Sequence, residues 1–274
     1  MEECKGKLEI IGPARLQNIT TMVTRILSFC ILLAFQSAIV NAQGNGAALV
    51  VKKSSDFTIT GSGNAANWSA TEWVSLQQRD PKTLRENQWN IPLDRDKNKD
   101  IQYATKFKIL YSDKGVYCLY SCEDSLITAT LKEDFSNIYD EDVVEAFFWP
   151  DTALPLYFEY ELSPNNVELP ILIVNNKGNA MGWKPWLFTG ERKTIHAVHI
   201  DEKKNGANRI NWTAEFFIPF SVLSPLGNVP PKKGTQWRAN FYRIDYDRNP
   251  VYTSWQLTRR SYHDFEKFGT IIFE

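Results

Sequence analysis

The sequence predicts an all-β protein: one domain folded as an antiparallel β-sandwich, a two-sheet architecture of the jelly-roll or immunoglobulin-like kind. Three observations lead to this prediction. Several segments alternate apolar and polar residues, as "YATKFKILY" does at residues 103–111. Polar turn sequences such as "SPNN", "EKKNGAN" and "PPKKG" separate these segments. No long stretch has helical periodicity, and there is no internal repeat or low-complexity linker.

The elements follow in chain order. "DFTITGSGNAANW" predicts a short strand that runs into a Gly/Asn turn, and residues 68–78 predict one helical turn. The alternating segment 103–111 and "VYCLYSC" predict a hairpin joined by the turn "SDKG". Further strands are predicted at residues 143–149, 156–162, 169–174, 195–200, 209–218, 236–246 and 270–273.

The N-terminal region predicts export. From Met22 the chain has a basic residue, an apolar run at residues 26–35 and small residues up to Ala42, which is the order of a secretory signal peptide. We expect residues 1–42 to be an extension plus signal peptide, with the true start at Met22 and cleavage after Ala42. Residues 43–48 would be a tether and residues 49–274 the folded domain. The mature protein would be periplasmic, on the cell surface or extracellular.

Charge and cysteine content narrow the function classes. Without residues 1–42 the chain has 27 basic and 29 acidic residues, and no basic stripe suggests nucleic-acid binding. Cys118 and Cys122 would lie about 13 Å apart in a strand, too far for a disulfide bond. They share one strand face, so we expect them to be small core residues. Export without disulfide bonds favours a bacterial source.

The stretch "SNIYDEDVVEAFFWPD" at residues 136–151 places Glu145 inside a hydrophobic run. Asp142 and Glu145 are three apart, so on a strand they point to opposite faces and do not form a local acid pair for glycoside hydrolysis. His196 and His199 in "HAVH" would also be split between the faces of a strand, which argues against a metal pair.

The stretch "DRDKNKD" imitates the opening of a calcium loop. It lacks the Gly expected at the sixth position, where Lys99 stands, and the Glu expected at the twelfth, where Thr105 stands. A solvated loop is the default interpretation. The calcium candidates are Asp94, Asp96, Asn98 and Asp100.

Aromatic residues are abundant, with nine Trp, eleven Tyr and sixteen Phe. Most are expected in the core of the sandwich. Exposed aromatic faces beside carboxylates and amides can also bind sugar rings, since small-ligand sites combine apolar walls with a few polar groups. Composition alone leaves both interpretations open. The aromatics in loop or strand-end contexts are Tyr139, Trp183, Trp186, Trp255 and Tyr262.

Several stretches together resemble the family 9 carbohydrate-binding module. They are "FTITGSGNAANW", "FKILYSDKGVYCLYSCED", "YDEDVVEAFFWPD", "WTAEFFIPFSVL" and "SWQLTRRSYHDFEKFGTIIF", and the resemblance covers most of residues 49–274. It implies a β-sandwich that binds a saccharide, often at a chain end, without cleaving it. Such a module would support carbohydrate catabolism together with a partner hydrolase or a surface uptake system.

The resemblance also implies site residues. Tyr139 and Tyr262 match the two aromatics that clamp the sugar, where the family usually has Trp. Glu145 matches the acid that accepts hydrogen bonds from sugar hydroxyls. Trp183, Trp186 and Arg259 are candidates for the rim of the cleft. Calcium occurs in some members of the family, but no ligand set here can be matched to it.

The sequence departs from the family at several positions. Glu159 stands nearest to the place where the family can carry an Arg, and Arg259 and Arg260 replace amides. Arg238, Arg243 and Arg259 would support the cleft or pair with Glu159 and Glu161 across strands. Two other functions stay open: a hydrolase that acts on O-glycosyl bonds in the same cleft, and a structural or adhesive sandwich that has lost the sugar site.

Overall fold

The structure, a computed structural model, describes residues 48–78, 103–176, 179–186, 189–201, 209–247, 250–258 and 261–274. The predicted extension, signal peptide and calcium loop lie outside these ranges. The described residues belong to one compact unit, Asn45–Glu274. No helix among them is long and apolar enough to cross a lipid bilayer.

Strands dominate the described part of the chain, as the alternation of its sequence predicts. Helical segments are short: α1 spans Phe220–Leu223, and 3-10 turns occur at Ala66–Ala70, Ile138–Asp140, Gly190–Arg192, Ser224–Leu226 and Phe265–Lys267. The strands are β1 Leu49–Lys53, β2 Val74–Ser75, β3 Gln77–Gln78, β4 Thr105–Tyr111, β5 Gly115–Asp124, β6 Val143–Trp149, β7 Leu156–Leu162, β8 Glu168–Asn176, β9 Asn179–Pro185, β10 Ile195–Asp201, β11 Ile210–Pro219, β12 Gln236–Asp245, β13 Val251–Ser254 and β14 Gly269–Phe273.

The strand order along the main path is β10-β11-β5-β4-β1-β14-β12-β6-β7-β8-β9. Most neighbours pair antiparallel, as the hairpin sequences predict, but β1 pairs parallel with both β14 and β4. The sheet is therefore mixed, and the expectation of a purely antiparallel arrangement is wrong at β1.

Aromatic rings join strands that are far apart in this order. Phe107 of β4 stacks on Phe241 of β12 at 4.0 Å between centroids, and Tyr160 of β7 packs on Phe216 of β11 at 4.6 Å. These residues belong to one large buried cluster, which we call the main core. Cys118 and Cys122 are buried in it as free thiols, so their predicted role as small core residues is confirmed.

The structure differs from the prediction in the first part of the folded domain, at residues 57–78. Residues 57–60 form no strand, because the backbone N–H groups of Thr60 and Gly61 donate to the Glu215 carboxylate at 2.9 and 2.8 Å rather than to a neighbouring strand. The same carboxylate accepts the indole N–H of Trp68 at 2.8 Å. The helical turn predicted within residues 68–78 is found only at its start, where the 3-10 turn Ala66–Ala70 ends, and the short strands β2 and β3 follow. β1, β9 and β13 are further strands that the sequence did not predict.

Candidate functional site

Glu145 occupies a strand that is buried on both sides. All seven residues of β6 are buried, and the alternation of the strand divides them between two apolar clusters. Val144 and Phe148 enter the main core, whereas Val143 and Phe147 enter a second cluster on the other face of the sheet. Because strand side chains alternate, Glu145 points to the face of this second cluster, which we call the second face.

Two more glutamates join Glu145 on the second face. In the β6–β7 pairing Glu145 lies opposite Glu161, and Phe147 lies opposite Glu159. The sequence "YFEYEL" of β7 alternates, so its aromatics Phe158 and Tyr160 enter the main core while both glutamates face the other way. We call Glu145, Glu159 and Glu161 the acidic floor; their exposed fractions are 2%, 4% and 1%.

The acidic floor is short of hydrogen-bond donors. Oε2 of Glu159 and Oε2 of Glu161 are buried and have no hydrogen-bond partner. Burial raises the pKa of Glu145 well above its ordinary value, and the charge of Glu161 raises it further. Burial also raises the pKa of Glu159 and of Glu161 well above the ordinary range. Three carboxyls this close cannot all be ionised without a compensating donor or cation.

His263 lies at the edge of the acidic floor. Its Nδ1 is 2.5 Å from the hydroxyl of Tyr157 and 3.7 Å from Oε2 of Glu159, and its side chain is 20% exposed. Burial lowers the pKa of His263 to about 4. The short contact with Tyr157 fits a neutral ring whose Nδ1 accepts a hydrogen bond from the Tyr157 hydroxyl. The imidazole therefore supplies polarity at this edge but no positive charge.

Tyr139 and Tyr262 both pack against the second cluster, but they differ in exposure. Tyr139 is half-buried. Burial raises the pKa of its phenol, and the charges of Asp140, Glu161 and Glu159 raise it further. Tyr262 is only 8% exposed, and its hydroxyl donates to the carbonyls of Arg243 and Thr253 at 2.9 and 3.1 Å.

The Tyr262 ring is enclosed by other aromatics. It stacks on Tyr242 at 4.0 Å between centroids and meets the edge of Tyr252 at 5.7 Å. These contacts leave little of its face for a ligand. Of the two aromatics expected to clamp a sugar, Tyr139 is the one with an accessible ring.

The rim candidates fall on different faces. Trp183 of β9 lies opposite Ile173, which lies opposite Tyr157, so Trp183 shares the second face and is 42% exposed. Trp186 packs against the main core and donates its indole N–H to the carbonyl of Val222 at 2.9 Å. Arg259, like the calcium candidates Asp94, Asp96, Asn98 and Asp100, lies outside the described residues.

Arg238 and Arg243 do not pair with Glu159 or Glu161, so that interpretation is wrong for both. Arg238 donates to the carbonyls of Glu266, Phe268 and Gly269. Arg243 lies opposite Val144 and faces the side of the main core. The register explains this, because Arg243 and Tyr242 are consecutive on β12 and only Tyr242 faces the acidic floor.

One group of carboxylates among the described residues has metal-like spacing. Oxygens of Asp124, Asp245 and Asp247 lie within 4.8 Å of one another. The guanidinium of Arg243 is already bound there, with Nη2 2.8 Å from Oδ2 of Asp124 and 2.5 Å from Oδ2 of Asp245. A resident cation at this place makes the group a poor fit for calcium.

Comparison with known proteins identifies the family. Residues 81–273 match the model of carbohydrate-binding family 9, which is more than half of the chain. The chain belongs to carbohydrate-binding family 9. The resemblance drawn from its sequence motifs is therefore confirmed, and a carbohydrate-binding module is the function class of the chain.

Relatives of this family 9 chain come from a fungus and from bacteria. An extracellular protein of Arthroderma benhamiae is 24% identical over 199 residues, covering 68% of this chain and 86% of the relative. A candidate carbohydrate-binding protein of Bacteroides uniformis has a TM-score of 0.62 at 17% identity, covering 84% of this chain and 100% of the other. A family 9 module of Caldicellulosiruptor kristjanssonii in complex with cellotriose has a TM-score of 0.54 at 15% identity, covering 83% and 94%.

Sequence reasoning did not select Glu159, Glu161 or His263 as candidate residues for the site of this family 9 module. The signal for Glu161 was present, because the alternation in "YFEYEL" places Glu159 and Glu161 on one strand face. His263 had no local signal. It reaches Tyr157 from 106 residues away in the chain, a contact that only the folded arrangement reveals.

Proposed function

We propose that this chain is an exported, non-catalytic module that binds a saccharide on the second face, over the acidic floor. The observation that carries the proposal is the half-exposed Tyr139 beside buried carboxyls that have unpartnered oxygens. An aromatic ring offers a flat apolar face to a sugar ring, and carboxylates accept hydrogen bonds from hydroxyls.

We further propose that the two halves of the sheet are the two layers of a sandwich.

In this proposal each residue has a distinct role. Tyr139 stacks on the sugar, and Glu145, Glu159 and Glu161 accept its donors. Trp183 extends the same face toward longer chains, since two strand spacings of about 5 Å separate β7 from β9. Tyr262 supports the cleft from beneath, and Trp186 stabilises the core. The fold that this chain shares with a family 9 module bound to cellotriose supports the assignment.

Export is part of the same proposal. A fungal relative is described as an extracellular protein, and the order of residues 22–42 is that of a signal peptide. A module of this kind would deliver its saccharide to a separate hydrolase or uptake system.

A hydrolase is the weaker candidate. A glycosidase needs two carboxyl groups on either side of the bond, about 5 to 10 Å apart. Glu159 and Glu161 are two residues apart on β7, and both project from the same strand face as Glu145. Carboxyls side by side in one floor can bind a sugar from below but do not flank a glycosidic bond.

Calorimetric titration with mono- and oligosaccharides, with and without calcium, tests the proposed function. We expect saturable binding that weakens in Tyr139→Ala and persists in Trp73→Ala. Trp73 is a 37% exposed aromatic that directly precedes β2 and lies outside the second cluster. Chromatography of the same mixtures should detect no released sugar. Binding that is unaffected by Tyr139→Ala would place the saccharide elsewhere, and released product would make the chain an enzyme.

A further inference from the structure

We propose that the acidic floor selects saccharides with a protonated amine, such as hexosamines or oligomers of deacetylated amino sugars, over neutral sugars. This inference rests on the proposed function and names its substrate class. Three glutamates share one buried patch. Two of them, Glu159 and Glu161, each have a buried oxygen without a hydrogen-bond partner.

The described part of the chain places no cation against this patch. None of the ion pairs that Lys and Arg form there involves Glu145, Glu159 or Glu161; the pairs are Lys53–Asp113, Lys114–Asp56, Arg209–Glu123, Arg243–Asp124 and Arg243–Asp245. Of the described basic side chains, His263 approaches the patch, with Nδ1 3.7 Å from Oε2 of Glu159, and burial lowers its pKa to about 4, so the ring is neutral. Among the described residues, the patch is therefore rich in acceptors and has no Lys or Arg paired with it.

A neutral sugar would satisfy this patch only in part. Each hydroxyl can donate one hydrogen bond, which pairs an oxygen but supplies no positive charge that would allow the carboxyls to ionise. An ammonium group donates three hydrogen bonds and carries the compensating charge. It is the sugar substituent that both donates to the unpartnered oxygens of Glu159 and Glu161 and supplies a positive charge.

A bare metal ion fits the patch less well. Among the described residues, the carboxylate group whose ligand atoms converge within 4.8 Å is Asp124, Asp245 and Asp247, and the acidic floor is not such a group. Calcium needs several converging oxygens at about 2.4 Å, whereas an ammonium can donate to the two unpartnered oxygens of Glu159 and Glu161 without a third carboxyl.

The test compares three ligands that differ at one carbon of the same ring. Glucosamine carries the ammonium, N-acetylglucosamine replaces it with a neutral amide, and glucose replaces it with a hydroxyl. At pH 6.5 we expect glucosamine to bind the purified protein at least about tenfold more tightly than either of the others, the effect of one charged hydrogen bond. Titration in two buffers of different ionisation enthalpy should show proton release with glucosamine only.

Variants connect this preference to the acidic floor. Glu159→Gln and Glu161→Gln each keep the side-chain shape and remove one charge, and either should reduce the preference for glucosamine to less than about threefold. Glu72→Gln makes the same change at an exposed position outside the floor and should leave the preference intact. If both floor variants fail to fold, the proton release by the unmodified protein still decides.

The outcomes separate the inference from the proposed function. Equal or tighter binding of glucose, with no proton release, would overturn the inference and leave the saccharide site standing. No binding of any saccharide by the folded protein would overturn both. Stoichiometric calcium binding that Glu159→Gln abolishes would replace the amine with a metal ion and overturn the inference.

Discussion

Glu145 on β6 lies directly opposite Glu161 on β7, and neither residue is more than 2% exposed. Directly opposed residues of an antiparallel pair have Cβ atoms about 5 Å apart, and like charges at that distance destabilise a sheet. The neighbouring Glu159 adds a third carboxyl. The floor is therefore stable only when protons, or a ligand that carries donors, occupy it.

The first prediction concerns stability and pH. Burial raises the pKa values of Glu145, Glu159 and Glu161, so the folded state binds protons that the unfolded state releases above about pH 4.5, the ordinary value. The free energy of unfolding should therefore fall as the pH rises from that value through the folded pKa values. Glu159→Gln should make this fall shallower, by up to about 1.4 kcal/mol per pH unit for one proton.

Urea denaturation at several values between pH 5 and pH 8 would measure this effect. Burial lowers the pKa of His263 to about 4, so His263 makes the free energy of unfolding rise with pH up to its ordinary pKa of 6.5. This contribution is the same in the variant and in the unmodified protein. Glu72→Gln, the same change at an exposed position outside the floor, serves as the control. Parallel profiles for Glu159→Gln and the unmodified protein would show that Glu159 titrates normally.

The second prediction separates support from binding at Tyr262. Tyr262→Ala should lower the free energy of unfolding by about 3 to 5 kcal/mol, because it empties the space against Tyr242 and Tyr252. Tyr262→Phe keeps the ring and loses the hydrogen bonds to two carbonyls, which should cost about 1 kcal/mol. Chemical denaturation measures both values.

Saccharide titration completes this test. Tyr262→Phe should bind with an affinity within about twofold of the unmodified protein, because its buried hydroxyl faces the backbone rather than a ligand. A folded Tyr262→Phe protein that has lost its affinity would restore the interpretation of Tyr262 as a direct sugar contact.

The sequence predicted the long apolar strands and missed several short or exposed ones. β6 and β7 have the bounds expected from their sequences, because burial of both faces selects β-branched and aromatic residues throughout. β9, "NAMGWKP", is exposed along its whole length and exists through its pairing with β8. An exposed edge strand of this kind carries no hydrophobic pattern from which it could be predicted.

The site was predictable only in part, for a similar reason. Glu145 could be selected because it interrupts a hydrophobic run. Its partner Glu161 depends on the register between β6 and β7, and a shift of one residue would have turned Glu161 to the main core. The different roles of Tyr139 and Tyr262 depend on which ring the loops cover, and residue type gives no information about that.

The third prediction concerns Arg243, which is 1% exposed and binds two carboxylates on the side of the main core. Arg243→Met should lower the free energy of unfolding by about 3 to 5 kcal/mol, because Asp124 and Asp245 remain buried without their cation. Adding Asp124→Asn and Asp245→Asn to Arg243→Met should recover part of this loss. Thermal denaturation of the variants measures it, and a loss that the additional changes do not reduce would contradict the charge argument.

The fourth prediction addresses Tyr139, the aromatic with an accessible ring. Tyr139→Ala should weaken saccharide binding about three- to tenfold, which corresponds to the loss of one aromatic stacking contact. Tyr139→Trp offers a larger face and should bind at least as tightly as the unmodified protein.

Both Tyr139 variants should fold, because Tyr139 is only half-buried and the hydrogen bond from the Tyr246 hydroxyl goes to the backbone carbonyl of residue 139, which any substitution retains. Trp73→Ala is the matched control, since Trp73 is also a partly exposed aromatic but packs beside Lys106 and Lys108 rather than the acidic floor. Calorimetric titration of the three variants with the best ligand of the panel decides the question. Equal loss of affinity in Tyr139→Ala and Trp73→Ala would mean that neither ring forms the site, whereas loss confined to Tyr139 would place the sugar over Glu145, Glu159 and Glu161.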